Sequence, residues 1–207
     1  MPFNIDLHVH TRYSGDNNAD PEEAVVRAIE NNLQGIAFTE HYCYGASEFV
    51  RRLRAAYGAH IVICRGVEFS TPEGHCLVFG VDTDALGLKG LPVDEVVRIV
   101  SGAGGVVIPS HPYRTGNSLG DSIRRVKGIC AVEGHNGCNM KRFNMKAVEA
   151  AGELGLPFTG GSDAHEPKDV GSCYTEFDDP VTTENLAELL RVGRYRGIDT
   201  RKSSTGY

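Results

Sequence analysis

Histidine and carboxylate residues recur beside the apolar, strand-like runs of this sequence. Six of the eight histidines lie next to such runs, usually close to an Asp or Glu. His8/His10 and Asp163/His165 are each two residues apart, so on an extended backbone both side chains of a pair point to the same side. Imidazole and carboxylate together suit Zn²⁺, Mn²⁺ or Fe²⁺. The pattern predicts a metal site rather than scattered structural histidines.

The candidate ligands are too numerous for one tetrahedral ion, and they suit two or three ions that share a carboxylate. Two ions about 3.5–4 Å apart can hold a bridging hydroxide and clamp the entering and leaving oxygens of a phosphoryl displacement. A structural zinc ion would instead use Cys ligands, and the six Cys include no Cys-x-x-Cys pair. The candidates are His8, His10, Asp16, His41, Glu68, His75, His111, Asp163 and His165.

The elements that must position these residues alternate between strand-like runs and amphipathic helices. Strands are predicted at 3–10, 36–39, 61–67, 75–81, 105–109, 129–133, 157–160 and 194–198. Helices are predicted at about 20–30, 46–57, 93–102, 140–154 and 183–192, the last capped by Thr182 or Thr183. The turn-rich segment Ser70–Gly74 predicts a hairpin that returns His75 close to Glu68. The alternation predicts an α/β fold, a distorted β/α barrel of about seven strands with the candidate ligands at one face.

Length and composition indicate one domain, residues 1–200, followed by a loose tail at 201–207. The chain has 207 residues, 41% hydrophobic and 23% charged, which is ordinary for a globular protein. No apolar stretch has the length of a membrane span, and the first residues lack a signal-peptide pattern. We therefore expect no membrane partner. Cys64, Cys76 and Cys130 lie in apolar runs, as reduced cysteines do, which favours the cytoplasm. The sequence leaves the oligomeric state open.

Charge is distributed unevenly along the chain. The net charge of −6 argues against tight, nonspecific binding to long nucleic acid. Residues 1–40 carry seven acids against two bases, whereas residues 111–146 carry seven bases against two acids. The basic segment is either a solvated helix face or the half of the protein that receives an anionic substrate.

Five motifs, in order, resemble those of the PHP (polymerase and histidinol phosphatase) family, from about residue 4 to residue 172. They are Asp6-Leu-His-Val-His-Thr-Arg-Tyr-Ser14 with Asp16, Thr39-Glu-His41, Gly66-Val-Glu-Phe-Ser70, Ser110-His-Pro112 and Gly161-Ser-Asp-Ala-His165. The resemblance implies a distorted β/α barrel, a trinuclear metal site and phosphoesterase activity. It assigns His8, His10, Glu68 and Asp163 to a first metal, Glu68, His75 and His111 to a second, and Asp16, His41 and His165 to a third.

Several residues beyond this set are candidates for other roles. Arg114, three residues after His111, is placed to grip a phosphate bidentately, or it is a surface arginine. His135, after the strand at 129–133, is a candidate to protonate a leaving oxygen, or it is a solvent-facing loop residue. Glu133 is expected to bind substrate or orient a neighbour. Glu40 is expected to face away from His41 on extended backbone.

These observations together predict a metal-dependent phosphoesterase with two or three divalent ions (Mn, Fe or Zn) as cofactors. Its substrate would be a small phosphorylated metabolite or nucleotide. One alternative is a 5′–3′ exonuclease on short oligonucleotides, which the basic segment favours and the net charge disfavours. Two others are a metal-stabilised binding module without turnover and a metal-dependent amidohydrolase acting on C–N bonds.

Overall fold

Strands and helices alternate through most of the chain, as the sequence predicts. The computed structural model describes residues 2–41, 46–81 and 90–202. The strands are β1 (Phe3–Val9), β2 (Gly35–Phe38), β3 (Val62–Thr71), β4 (Gly74–Phe79), β5 (Val106–Pro109), β6 (Val132–Asn136), β7 (Phe158–Gly161), β8 (Cys173–Phe177) and β9 (Tyr195–Asp199). The helices are α1 (Pro21–Glu30), α2 (Ala46–Tyr57), α3 (Val93–Gly102), α4 (Lys141–Leu154) and α5 (Leu186–Val192).

Seven strands form one curled, mixed sheet in the order β5-β4-β3-β2-β1-β8-β9, and β6 and β7 pair in a second sheet. The β1, β2 and β3 strands are parallel neighbours, so their carboxyl ends meet at one edge. The β3–β4 pair is the predicted hairpin, with Ser70 opposite His75. The predicted α/β fold is therefore confirmed, and its main sheet has seven strands.

The first helix shows how local sequence sets the position of an element. Asp20 caps α1 by accepting hydrogen bonds from the Glu22 and Glu23 amides, and Pro21 is the first helical residue, as the sequence predicts. The apolar face of α1, including Val25, is buried in a core under β1 and β2. This core packs against the first two strands, which pair with each other, and both strands end at the candidate site.

Three features near the carboxyl terminus differ from the sequence prediction or extend it. The α5 helix starts at Leu186 with Asn185 as its cap residue, because Thr182 caps a preceding turn by accepting from the Asn185 amide. The β8 strand was not predicted. Arg201, which the sequence places in the loose tail, donates hydrogen bonds to the carbonyl oxygens of Gly137 and Asn139; residues 203–207 lie outside the described residues.

No helix among the described residues is both long enough and apolar enough to cross a bilayer.

Candidate metal centre

The end of β1 brings His8 and His10 together, as their spacing predicts. Their Nε2 atoms are 3.0 Å apart, and both side chains are buried. The Nε2 atoms also face Asp163, with Oδ1 at 3.4 Å from His8 and 3.3 Å from His10. Strand β7 lies close behind them, because a Cβ on Gly161 would stand 2.4 Å from the His8 Cβ. Glycine at that position therefore allows the Asp163 loop to approach β1.

Glu68, on β3, lies at the middle of the cluster and is 1% exposed. Its two oxygens face different sets of imidazoles. Oε2 lies 3.4, 3.2 and 3.5 Å from the Nε2 atoms of His8, His10 and His41. Oε1 lies 2.8 Å from His111 Nε2 and 3.3 Å from His75 Nδ1. The carboxylate thus stands between two groups of histidines, and the predicted proximity of His75 to Glu68 is confirmed.

Asp16, His41 and His165 form the more exposed side of the cluster. The Asp16 Oδ2 atom lies 3.3 Å from His165 Nε2 and 3.5 Å from His41 Nε2. The Nδ1 atom of His165 is 2.8 Å from the Asp163 carbonyl oxygen. Since a carbonyl only accepts, Nδ1 carries the proton and Nε2 is free to bind an ion.

Two of the candidate ligands have unusual backbone conformations. His111 has a φ of 30° and Asp163 a φ of 54°, in the region that non-glycine residues rarely adopt. Each residue directly follows a strand and a serine, and each directs its side chain back toward Glu68 or His10. Backbone strain of this kind concentrates at functional sites.

Glu133 is a buried carboxylate that orients two candidate ligands. Its Oε1 accepts from His8 Nδ1 at 2.8 Å, and its Oε2 accepts from the His111 backbone amide at 2.7 Å and from Asn136 Nδ2 at 3.0 Å. Because an ionised carboxylate only accepts, His8 keeps a proton on Nδ1, and Nε2 is the nitrogen that faces Asp163 and that an ion would bind. Of the two roles the sequence left open for Glu133, these contacts favour orientation of a neighbour.

Mutual electrostatics hold the cluster in an unusual set of protonation states. Burial by itself lowers the pKa of His10, but hydrogen bonds from its ring to Asp163 and Glu68 outweigh burial and raise that pKa to about 9. Burial by itself raises the pKa of Glu68, but the charges of His8 and His111 hold it well below its usual range. The free cluster therefore holds protons that an incoming cation would displace, so metal affinity should fall as pH decreases.

The donor set fits divalent metal ions. Three groups have ligand atoms that all lie within 4.8 Å of one another: His8, His10, Glu68 and Asp163; His10, His41 and His165; and His41, Glu68 and His75. Within the described part of the chain, the buried Nδ1 atoms of His75 and His111 have no hydrogen-bond partner. Imidazole nitrogens and carboxylate oxygens converge here, and this is the combination of donors that suits Zn²⁺, Mn²⁺ and Fe²⁺.

Arg114 and His135, the two predicted catalytic residues, have different positions relative to the cluster. Arg114 donates from Nη1 to Asp163 Oδ2 at 2.8 Å, and its side chain is 29% exposed, so it lies at the rim of the cluster. The His135 ring instead packs edge-on against Phe158 at 5.4 Å, and burial lowers its pKa. The register of β6 shifts between Glu133 and His135, and Glu133 rather than His135 faces the cluster.

Comparison with known proteins adds family information to this geometry. Residues 6–104 match the model of the PHP domain, and residues 141–195 match that of the PHP-associated region. The uncharacterized protein MJ1587 of Methanocaldococcus jannaschii is 30% identical over 129 residues, which cover 57% of this chain and 73% of that protein.

Three solved structures share the fold. PsfC from Pseudomonas syringae is 20% identical with a TM-score of 0.72, covering 96% of this chain and 92% of its own. A protein assigned as a metal-dependent phosphoesterase from Bifidobacterium adolescentis is 16% identical with a TM-score of 0.64, covering 91% and 96%. An amidohydrolase from Chromobacterium violaceum, with bound sulfate and no metal, is 21% identical with a TM-score of 0.65, covering 93% and 97%. With its five ordered motifs, two matching family models and shared fold, the chain belongs to the PHP family.

Proposed function

We propose that this protein is a metal-dependent phosphoesterase that hydrolyses a small phosphorylated metabolite or nucleotide. The observation that carries the proposal is the position of Glu68, whose Oε2 faces His8, His10 and His41 while Oε1 faces His75 and His111. A carboxylate between two sets of imidazoles suits neighbouring ions that share it as a ligand. Paired ions are well suited to phosphoryl displacement, because they stabilise both the entering and the leaving oxygen.

The proposed ligands divide into three sets. His8, His10, Glu68 and Asp163 would hold a first ion, Glu68, His75 and His111 a second, and Asp16, His41 and His165 a third. When bound, two or three Mn, Fe or Zn ions would supply Lewis acidity and lower the pKa of a coordinated water. Glu133 holds the His8 proton on Nδ1, away from the ion, and the Asp163 carbonyl does the same for His165.

Arg114 is the proposed phosphate-binding residue. A guanidinium has five N–H donors, and one Arg114 donor already binds Asp163, which fixes the group beside the proposed first ion. The remaining donors can bind the non-bridging oxygens of a phosphate. A cavity of about 690 Å³ lies beside this centre, with His165, Arg12 and Asn17 in its lining. We place the organic part of the substrate there.

Two alternatives have specific observations in their favour. Tyr113 directly precedes Arg114, and the Lys146 ammonium lies 5.4 Å from the centre of the Tyr113 ring. A cation beside an aromatic ring suits binding of the second nucleotide of an oligonucleotide, which favours the exonuclease alternative. The amidohydrolase from Chromobacterium violaceum shares the fold, so C–N bond hydrolysis is the other candidate. A binding module without turnover would be expected to lack some ligands, whereas here all the predicted ligands converge.

The buried free thiols Cys64, Cys76 and Cys173 support a reducing cytoplasm as the compartment of this protein.

The test is metal analysis, followed by assays on phosphomonoesters, nucleotides, short oligonucleotides and amides with added Mn²⁺. We expect turnover of a phosphomonoester, with loss of activity in Glu68→Gln and His111→Ala. His60→Ala is the matched control, because His60 is exposed on a distant turn. If Glu68→Gln and His111→Ala both keep full turnover, the proposal is wrong. Turnover of amides alone would support the amidohydrolase alternative. A preference for oligonucleotides over phosphomonoesters would support the exonuclease alternative.

A further inference from the structure

Glu40 is a buried carboxylate outside the proposed ligand set. It lies between β2 and His41, is 1% exposed, and faces the loop that follows β1. Oε2 accepts from the Thr11 amide at 2.9 Å and from the Ser14 hydroxyl at 2.5 Å, and Oε1 accepts from the Thr11 hydroxyl at 2.5 Å. Three donors from one loop therefore converge on a single side chain of the neighbouring strand end.

The Ser14 hydroxyl connects Glu40 to two of the proposed ligands. Its Oγ lies 3.0 Å from His10 Nδ1 and 3.1 Å from the backbone amide of His41. A hydroxyl has one proton to donate and two lone pairs. Glu40, as an acceptor, takes the proton, and the His41 amide occupies one lone pair because an amide N–H only donates. His10 must then donate from Nδ1 into the second lone pair, so an ion that displaces the Nε2 proton would meet the Nε2 lone pair beside Glu68 and Asp163.

The same contacts fix the loop that carries Asp16. The loop is closed by a hydrogen bond from the Arg12 amide to the Ala19 carbonyl, 2.9 Å long, and Glu40 holds its first turn through Thr11 and Ser14. Asp16 itself is partly exposed, with its carboxylate near His41 and His165. The position of this ligand therefore depends on how firmly Glu40 holds the loop.

We propose that Ser14 and Glu40 act as a coupled pair of positioning residues, which set the His10 tautomer for metal binding and hold Asp16 at the exposed side of the centre. Glu40 orients the Ser14 hydroxyl, and Ser14 orients His10 and His41. Removing either partner should have most of the effect of removing both. This inference rests on the proposed metal centre, because its consequence is a change in metal affinity.

The test is isothermal titration of the metal-free protein with Mn²⁺, using Ser14→Ala, Glu40→Ala and the double variant. Hydrogen-bond partners of ligating histidines typically contribute 10- to 100-fold in metal affinity, so we expect Ser14→Ala to weaken at least one ion by about that factor. If the two single losses of Mn²⁺ affinity were independent, they would multiply in the double variant. We expect the double variant to lose much less affinity than that product. Ser14→Thr keeps the hydroxyl and should recover most of the affinity. Ser101→Ala, on the exposed face of α3, is the matched control.

The outcomes separate this inference from the proposed function. If the wild-type protein takes up no divalent ion, the proposed metal centre is wrong and the inference is overturned with it. If the wild type binds ions but Ser14→Ala matches Ser101→Ala, or if the single effects multiply in the double variant, only the Ser14–Glu40 inference is overturned. Melting curves of the metal-free variants show whether each is folded. If Glu40→Ala does not fold, the comparison of Ser14→Ala with Ser14→Thr decides, and failure of Ser14→Thr to recover affinity overturns the inference.

Discussion

A Glu133→Gln variant should bind metal ions much more weakly than the wild type, although Gln has nearly the same shape as Glu. Glu133 accepts from three donors: His8 Nδ1, the His111 amide and Asn136 Nδ2. The single amide oxygen of a glutamine side chain can replace only one carboxylate oxygen. The His111 backbone amide can only donate. If the glutamine oxygen accepts from that amide, the NH₂ group of the glutamine faces His8 Nδ1.

The magnitude follows from the tautomer that metal binding requires. Coordination through His8 Nε2 needs the proton on Nδ1, where it would meet the donor NH₂ group of the introduced glutamine. A buried donor without a partner costs about 1–3 kcal/mol, which corresponds to a loss of about 5- to 150-fold in metal affinity. Turning the glutamine amide around moves the conflict to the His111 amide and costs a similar amount.

The assay is titration of metal-free wild type and Glu133→Gln with Zn²⁺ or Mn²⁺ at one pH. Glu149→Gln, on the exposed face of α4, removes the same charge without touching the cluster and should bind like the wild type. Wild-type affinity in a folded Glu133→Gln variant would refute the claim that Glu133 sets the His8 tautomer.

Three further predictions concern other parts of the molecule. Arg114→Gln should lower kcat/KM for a phosphomonoester by about 10- to 100-fold, since a charged hydrogen bond contributes about 1.5–3 kcal/mol. Arg125→Gln, at an exposed position, is the control, and equal kcat/KM values for the two variants would contradict phosphate binding by Arg114. Burial raises the pKa of Asp6 to about 6, so the folded protein binds the Asp6 proton more tightly than the unfolded chain does. The resulting stabilisation of the fold is complete below about pH 4 and is lost as pH rises through 6. The unfolding free energy of the metal-free wild type relative to Asp6→Asn should therefore fall by up to about 3 kcal/mol from pH 4 to 7.5 in urea titrations, and a constant difference would contradict this. Burial raises the pKa of the Cys64 thiol to about 12, so peptide mapping should show slow alkylation at pH 8 that accelerates with pH; labelling as fast as that of a free peptide thiol would count against it.

The sequence predicts the convergence of the candidate ligands well, because residue spacing and the alternation of strands and helices determine it. The two-residue separation of His8 and His10 puts both on one side of β1, and the turn before His75 returns it to Glu68. Both inferences need only local periodicity and hairpin geometry. The carboxylate of Glu40 contacts Thr11 and Ser14 of the loop after β1, partners that the sequence did not indicate.

The contacts that orient the candidate ligands could not be predicted in the same way, although the sequence names Glu133 as a residue that binds substrate or orients a neighbour. Ser14 is significant because it meets Glu40 across 26 positions, and Glu133 because it meets His8 across 125; neither contact leaves a local pattern. His135 was expected after a strand that ends at residue 133, but β6 extends to Asn136 and its register shifts between Glu133 and His135. His111 and Asp163 have left-handed backbone, and their amides donate to Glu133 and to the His8 carbonyl oxygen, partners that are distant in the sequence.

The central claim is that Glu68 is shared by two metal ions. Crystals of the metal-loaded protein, measured at the absorption edge of Mn or Zn, would locate each ion directly by anomalous scattering. We expect at least two peaks, one near each carboxylate oxygen of Glu68 at about 2.0–2.2 Å, with His8 and His10 at one ion and His111 at the other. A fully loaded crystal with a single peak, or with no peak in contact with Glu68, would contradict the account.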